Sequence, residues 1–268
     1  MPKAPTNGIN TYYEEEGSGP AVVLIHGHSA NRHLWDGQFA FLPRNGFRAV
    51  RYDARGHGRS DAPQSGYTFE NYALDLRDLL DHLRIERAHL VGLSMGGGIA
   101  LTFALDNPRR AASLALISSC LPGYAYSPEY EEDIERLRDA VRREGPAAFE
   151  KHWLEHPMFA PIRRSPERFD SLRRIVTGYS AADYLDETEY PLPERRPSDR
   201  LHEIAAPTLV MAGALDLPDF LLIAEILAAN IPGAHRLIVP DAGDVLSLEA
   251  PDALNEALLS FLRNAGTR

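Results

Sequence analysis

Short, almost unbroken apolar runs recur along the chain, separated by stretches of helical periodicity. The runs lie at 21–25 (AVVLI), 47–52, 88–93 (AHLVGL), 113–117 (SLALI), 207–212 (PTLVMA) and 236–239. A run this short and this apolar fits a strand buried on both faces. Residues 72–83, 97–105, 220–229 and 253–262 are amphipathic and predict helices between those strands. Buried strands alternating with helices predict an α/β fold, a mostly parallel central sheet covered by helices on both faces. Residues 7–17 (NGINTYYEEEG) alternate in character between glycines and predict an antiparallel hairpin region at one edge.

The alternation stops between 121 and 200. That segment holds ten of the 23 aromatic residues, with Glu and Arg at helical spacing as in 131–143 (EEDIERLRDAVRR). We read it as a helical cap insertion, its aromatics partly its own core and partly a pocket roof. The core domain is then 1–120 together with 201–268. A length of 268 residues suits one large domain carrying such an insertion.

Composition narrows the function. With 28 basic against 38 acidic residues the net charge is -10, which gives no footprint for a phosphate backbone, so nucleic acid is not an expected partner. No stretch approaches the ~18 apolar residues of a membrane span, and the first ten residues lack a signal-peptide pattern. Cys120 is the sole cysteine, so neither an internal disulfide nor a cysteine metal cluster can form. The expected setting is the cytoplasm, with no membrane association, and no cofactor or metal is expected.

The residues that carry chemistry begin with Gly92-Leu93-Ser94-Met95-Gly96, a G-x-S-x-G between an apolar strand and a helix opening with glycines. At a sharp strand-to-helix turn the serine backbone is strained, its neighbours two residues away must be small, and its hydroxyl stands above the sheet. That is how a nucleophile is presented. His26-Gly27-His28 follows the first apolar strand, where a backbone N–H can join that of Met95 in an oxyanion hole.

These segments resemble the α/β-hydrolase superfamily over nearly the whole chain. The likeness rests on HGHS at 26–29 with Trp35 beyond it, YDARGHGRSD at 52–61, GLSMGG at 92–97, MAGALD at 211–216 and DAGDVLSLEAP at 241–251. It is nearest to small capped esterases, enol-lactone hydrolases and perhydrolases. The resemblance implies Ser94 as nucleophile, the backbone amides of His28 and Met95 as oxyanion donors, and Asp216 as the orienting carboxylate. Asp53 and His57 fall in a segment that shapes a loop. Trp153, Tyr124 and Phe159 are the expected substrate-binding aromatics of the cap.

One position departs from that pattern. Where the family's closing loop carries the histidine that takes the serine's proton, this chain has Asp244. Imidazole titrates near ~6.5 and a carboxyl near ~3.9, so a carboxylate is a poor base for a hydroxyl. Loss of the base in a well-studied serine protease costs on the order of 10⁶ in turnover. Asp244 beside Asp216 also predicts a coupled acid pair with at least one raised pKa. None of the ten histidines holds the missing position; His152 and His156, at i and i+4 on an expected cap helix, are the pair that could face Ser94.

The expected activity is therefore hydrolysis of a carboxylic ester, lactone or thioester of a small apolar acyl compound, at a site impaired or altered by Asp244. Two other readings stay open: a non-hydrolytic ligand-binding protein, and a lyase or isomerase using an Asp216/Asp244 dyad. An aspartate-nucleophile dehalogenase or epoxide hydrolase is excluded by Ser94. No sequence feature bears on oligomeric state.

Overall fold

A computed structural model describes residues 2–188 and 195–265. Eight strands form one sheet: β1 (Lys3–Thr6), β2 (Ile9–Glu16), β3 (Ala21–Ile25), β4 (Arg48–Tyr52), β5 (Ala88–Leu93), β6 (Ala111–Ile117), β7 (Thr208–Gly213) and β8 (His235–Val239), in the order β1-β2-β4-β3-β5-β6-β7-β8. The pairings from β4 to β8 are parallel, and β2 runs antiparallel to both β1 and β4. This is the α/β-hydrolase architecture. The edge hairpin turns at Asn7 (φ 35°) and Gly8 (φ 83°), two positive φ values that match the right-handed twist of the flanking strands.

Every residue of β3, β5 and β7 is buried, which explains their unbroken apolar sequences. Alternate side chains serve opposite faces: Val23 and Ile25 join one core, Val22 and Leu24 the other. The first core is closed by α2 (Phe69–His82) and α3 (Met95–Asp106), through Leu76, Leu80, Ile99 and Phe103. The second is closed by α1 (Asp36–Arg44) and the final helix of the chain, through Leu42, Leu254, Leu258 and Leu262. Each such leucine contributes about 2 kcal/mol of burial. Residues 95–105 of α3 are buried all round, so this helix shows no polar stripe.

Between β6 and β7 the described residues contain no strand. They form α4 (Pro128–Glu144), α5 (Ala147–Trp153), α6 (Pro166–Val176) and α7 (Ala182–Leu185), joined by short 3₁₀ turns. After β7 come α8 (Pro218–Asn230), α9 (Leu246–Glu249) and α10 (Pro251–Ala265). No helix among the described residues is long and apolar enough to cross a membrane.

Two expectations need correction. β8 is not a buried strand: it ends the sheet, and of its five residues only Val239 is buried. His152 and His156 do not share a helix, because α5 ends at Trp153; His156 instead caps the following 3₁₀ turn, accepting the Met158 N–H at 3.2 Å. His152 is exposed, and neither imidazole lines the cavity described next.

Candidate active site

The parallel strands end together, and the loops beyond β3, β5, β6, β7 and β8 meet above one end of the sheet. Open α/β sheets bind ligands there.

Ser94 occupies the turn from β5 into α3 with φ 52° and ψ -116°, a conformation that costs a non-glycine residue of order 1–3 kcal/mol. Neighbouring backbone holds it in place. Its N–H donates to the Ile117 carbonyl at 2.9 Å, and its own carbonyl accepts from Cys120 at 3.0 Å and from Gly97 at 2.9 Å. The flanking glycines are required by space: a Cβ on Gly92 would strike the Gly96 backbone, and one on Gly96 would strike the Ile25 carbonyl oxygen. The Ser94 hydroxyl lies 3.7 Å from the Cys120 thiol. Among the described residues no imidazole hydrogen-bonds it.

Gly27 brings the β3 loop against Ser94, since a Cβ built there would sit 3.3 Å from Ser94 Cβ. Met95 is the first residue of α3, so its N–H has no acceptor within the helix. In the β3 loop the next two amides are already engaged: Ser29 donates to His57 Nε2 at 3.2 Å and Ala30 to the Gly27 carbonyl at 3.3 Å. The His28 amide comes between Gly27 and these two in the chain.

His26 and His57 brace this loop as neutral rings. Each accepts a backbone N–H on Nε2, from Ala54 at 3.0 Å and from Ser29, so the proton of each ring sits on Nδ1, facing a carbonyl. Burial drives the His57 pKa down to about 3. Asp53 accepts from the Arg32 backbone and guanidinium at 2.8 and 2.9 Å and from the Arg59 amide at 2.9 Å, a loop-shaping role.

Asp216 and Asp244 come from loops that cross tightly. The Leu215 amide bonds the Ala242 carbonyl at 2.8 Å, and a Cβ on Gly213 would strike that carbonyl oxygen. Both acids are buried, at 6% and 4% exposure. Asp216 Oδ1 accepts the Leu217 amide at 2.8 Å, while Asp216 Oδ2 and Asp244 Oδ1 have no hydrogen-bond partner among the described residues. Burial pushes the Asp216 pKa up to about 7. Burial raises Asp244 well above the usual carboxylate range, and the charges of Asp216 and Glu249 add to it.

Glu249 is a third member that sequence reasoning passed over. From α9 it accepts the amides of Gly243 and Val245 at 2.9 and 3.0 Å, fastening the residues on either side of Asp244. Its only sequence signal was a carboxylate five positions beyond Asp244 in the closing LSLEAP run.

Ser94 and Asp244 open on a cavity of about 880 Å³. Trp153 and Phe159 line it, as does His28, and Tyr126 and Tyr130 contribute further aromatic wall. Tyr124 does not line it and is corrected here: its hydroxyl donates to Asp219 Oδ1 at 3.0 Å, which holds the ring at the base of the helical segment. Asp219 also accepts the amide and hydroxyl of Ser127 at 3.0 and 2.6 Å, tying the start of α4 to α8. Asp183, on α7, also lines the cavity. No group of three His, Cys, Asp or Glu side chains among the described residues is arranged to hold a metal ion.

A profile of the family described as the alpha/beta hydrolase fold matches residues 20–251. The chain belongs to this family. Among solved structures it is similar to a thermophilic esterase from Thermogutta terrifontis, with 30% identity and a TM-score of 0.84 over 98% of each chain. It is also similar to the enol-lactonase from Burkholderia xenovorans LB400, with 29% identity and a TM-score of 0.85 over 98% of this chain and 100% of that one. The non-heme haloperoxidase of Rhodococcus erythropolis is 26% identical over 276 residues, spanning 97% of this chain and 98% of its own. Membership in this α/β-hydrolase family, with an esterase and a lactonase among its similar structures, supports hydrolase activity.

Proposed function

We propose that the protein is a serine hydrolase acting on a carboxylic ester, lactone or thioester with a small apolar acyl group, in which Asp244 in place of a histidine lowers turnover. The observation that carries this reading is Ser94 itself: a hydroxyl held at positive φ, on the wall of a cavity that Gly27 brings within reach of the β3 loop. Strain of that kind persists only where surrounding structure enforces it, and it clusters at functional sites.

In the reaction Ser94 Oγ attacks the acyl carbon, and the amides of His28 and Met95 receive the negative charge that develops on the carbonyl oxygen. Aromatic walls from Trp153 and Phe159, with Tyr126 and Tyr130, suit an apolar acyl chain. The helical segment acts as the cap that covers it. Burial and its acidic neighbours push Asp244 toward the neutral carboxyl, which is a poor acceptor for the serine proton. The site therefore retains charge stabilisation and binding but lacks an efficient base.

The test is a chromogenic ester series from acetate to octanoate, with Ser94→Ala as control and intact-protein mass spectrometry for an acyl adduct. Slow turnover that disappears in Ser94→Ala, with acyl mass on Ser94, supports the proposal. Turnover equal in the two proteins sinks it.

A further inference from the structure

On the cavity wall stands a second charged arrangement that the chemistry above leaves unused. His28 Nε2 lies 2.8 Å from Asp183 Oδ2 and 3.0 Å from the Tyr179 hydroxyl, and that hydroxyl in turn donates to Asp183 Oδ1. Burial works to raise the Asp183 pKa, but His28, His57 and the Tyr179 hydroxyl together outweigh it and hold the carboxyl at about 2. An ionised carboxylate only accepts, and the tyrosine proton is committed to Asp183. The hydrogen between His28 and Asp183 therefore belongs to Nε2.

That leaves Nδ1 as the free nitrogen of the ring. It has no partner among the described residues, and the side chain is 22% exposed on the cavity wall. Edge-to-face contacts with Phe149, Trp153 and Tyr184, centroids 5.9, 5.8 and 5.4 Å away, fix the plane of the imidazole. A carboxylate–imidazole pair with one nitrogen free is what a general base requires. Gly27, the adjacent residue, is already against Ser94.

We propose that His28, oriented by Asp183 and Tyr179, is the proton acceptor that sustains residual acyl transfer at Ser94. This rests on the serine-hydrolase reading above. As Oγ bonds the acyl carbon, the hydroxyl proton passes through one water to His28 Nδ1, and the carbonyl π pair moves to the oxyanion. Collapse of that intermediate breaks the bond to the leaving oxygen, which recovers the proton from Nδ1. In the second half, attacking water gives a proton to Nδ1 and Ser94 Oγ takes it back. His28 is then a catalytic residue, and Asp183 a positioning residue that acts through it. The pair is completed only when the α7 segment lies over the β3 loop, because its two members come from different layers.

The experiment measures turnover of a p-nitrophenyl butyrate substrate by the full chain, by His28→Ala, by Asp183→Asn and by Asp244→His, each corrected for the rate with Ser94→Ala. The backbone donor at position 28 survives the alanine substitution. His28→Ala is expected to lose about a hundredfold in kcat with KM little changed, and added imidazole should restore part of that loss. Asp183→Asn should lose kcat to a smaller extent. Circular dichroism and thermal melting show whether each variant is folded, and imidazole rescue separates lost base from lost structure.

Ser94-dependent turnover that is unchanged in His28→Ala overturns the inference, as does loss of turnover that imidazole fails to restore. If the natural chain is inert while Asp244→His is active, the hydrolase reading stands and the role of His28 falls. If both are inert, the hydrolase reading falls with it.

Discussion

Glu249 grips the backbone on both sides of Asp244, accepting the Gly243 amide at 2.9 Å and the Val245 amide at 3.0 Å. The loop that carries Asp244 is thus built to hold one side chain in a fixed place beside Asp216. Asp216 Oδ2 has no hydrogen-bond donor among the described residues.

Asp244→His should supply that donor. An imidazole at this position can give one N–H to Asp216 and present its other nitrogen to Ser94, the geometry in which serine becomes a useful nucleophile. Ester turnover should rise by about 10³-fold or more, given that loss of such a base costs on the order of 10⁶ elsewhere. Steady-state assay across the chromogenic series checks this, and no gain on any member would contradict it.

The buried acids make stability depend on pH in an unusual direction. In the unfolded chain they titrate near ~3.9, while in the folded chain Asp216 holds its proton to about 7 and Asp244 also holds it well above the usual range. Their contribution is complete below pH ~4; that of Asp216 is lost as the pH rises through about 7 and that of Asp244 as the pH rises into its own raised range, because ionising them is costlier in the folded state. Asp244→Asn, which keeps the shape and removes the charge, should flatten this slope and raise the melting temperature at pH 8. Melting curves of both proteins at pH 5 and pH 8 provide the measurement; equal slopes would refute the coupled pair.

Removing the grip should matter in its own right. Glu249→Ala leaves two buried amides without acceptors and is expected to cost about 2 to 3 kcal/mol in urea unfolding. Combined with Asp244→His, it should erase most of the gain in turnover, since the new imidazole would no longer be held in register.

Acyl selectivity should follow the cavity wall. Phe159→Ala enlarges the pocket and is expected to raise the octanoate-to-acetate ratio of kcat/KM by about tenfold, at a stability cost of about 3 to 5 kcal/mol. Tyr124→Phe, which loses only the bond to Asp219, should leave that ratio unchanged and cost about 1 kcal/mol. A change of selectivity in Tyr124→Phe would place that ring in the pocket after all.

The strand positions were legible because burial on both faces demands unbroken apolar runs, and β3 and β5 match their predicted limits. Helix α1 was not legible: Gly37 and Pro43 lie within its nine residues, and packing against β4 and α10 overrides their weak propensity. β8 reads as apolar in its last residues, yet its place at the edge leaves Leu237 and Ile238 exposed, and nothing local encodes which strand ends a sheet. At the site, Ser94 and the glycines around it announced themselves because close backbone approach admits few residue types. Glu249 and Asp183 were silent, since a carboxylate on a helix looks the same whether it meets water, a loop amide or an imidazole 155 residues away. Tyr124 shows the converse: aromatic character was visible, but the direction of the ring was decided by Asp219.

The ties between Asp219 and Ser127 and between His28 and Asp183 carry a practical consequence for recombination. A helical block borrowed from a relative to change substrate range would need a hydroxyl to meet Asp219 and an acid to meet His28. A chimera lacking the first would enter the sheet end with an unmatched buried carboxylate, and one lacking the second would leave the imidazole free to turn. Crossover points chosen outside these two contacts, so that each pair travels with its own host, are the ones from which folded hybrids should emerge.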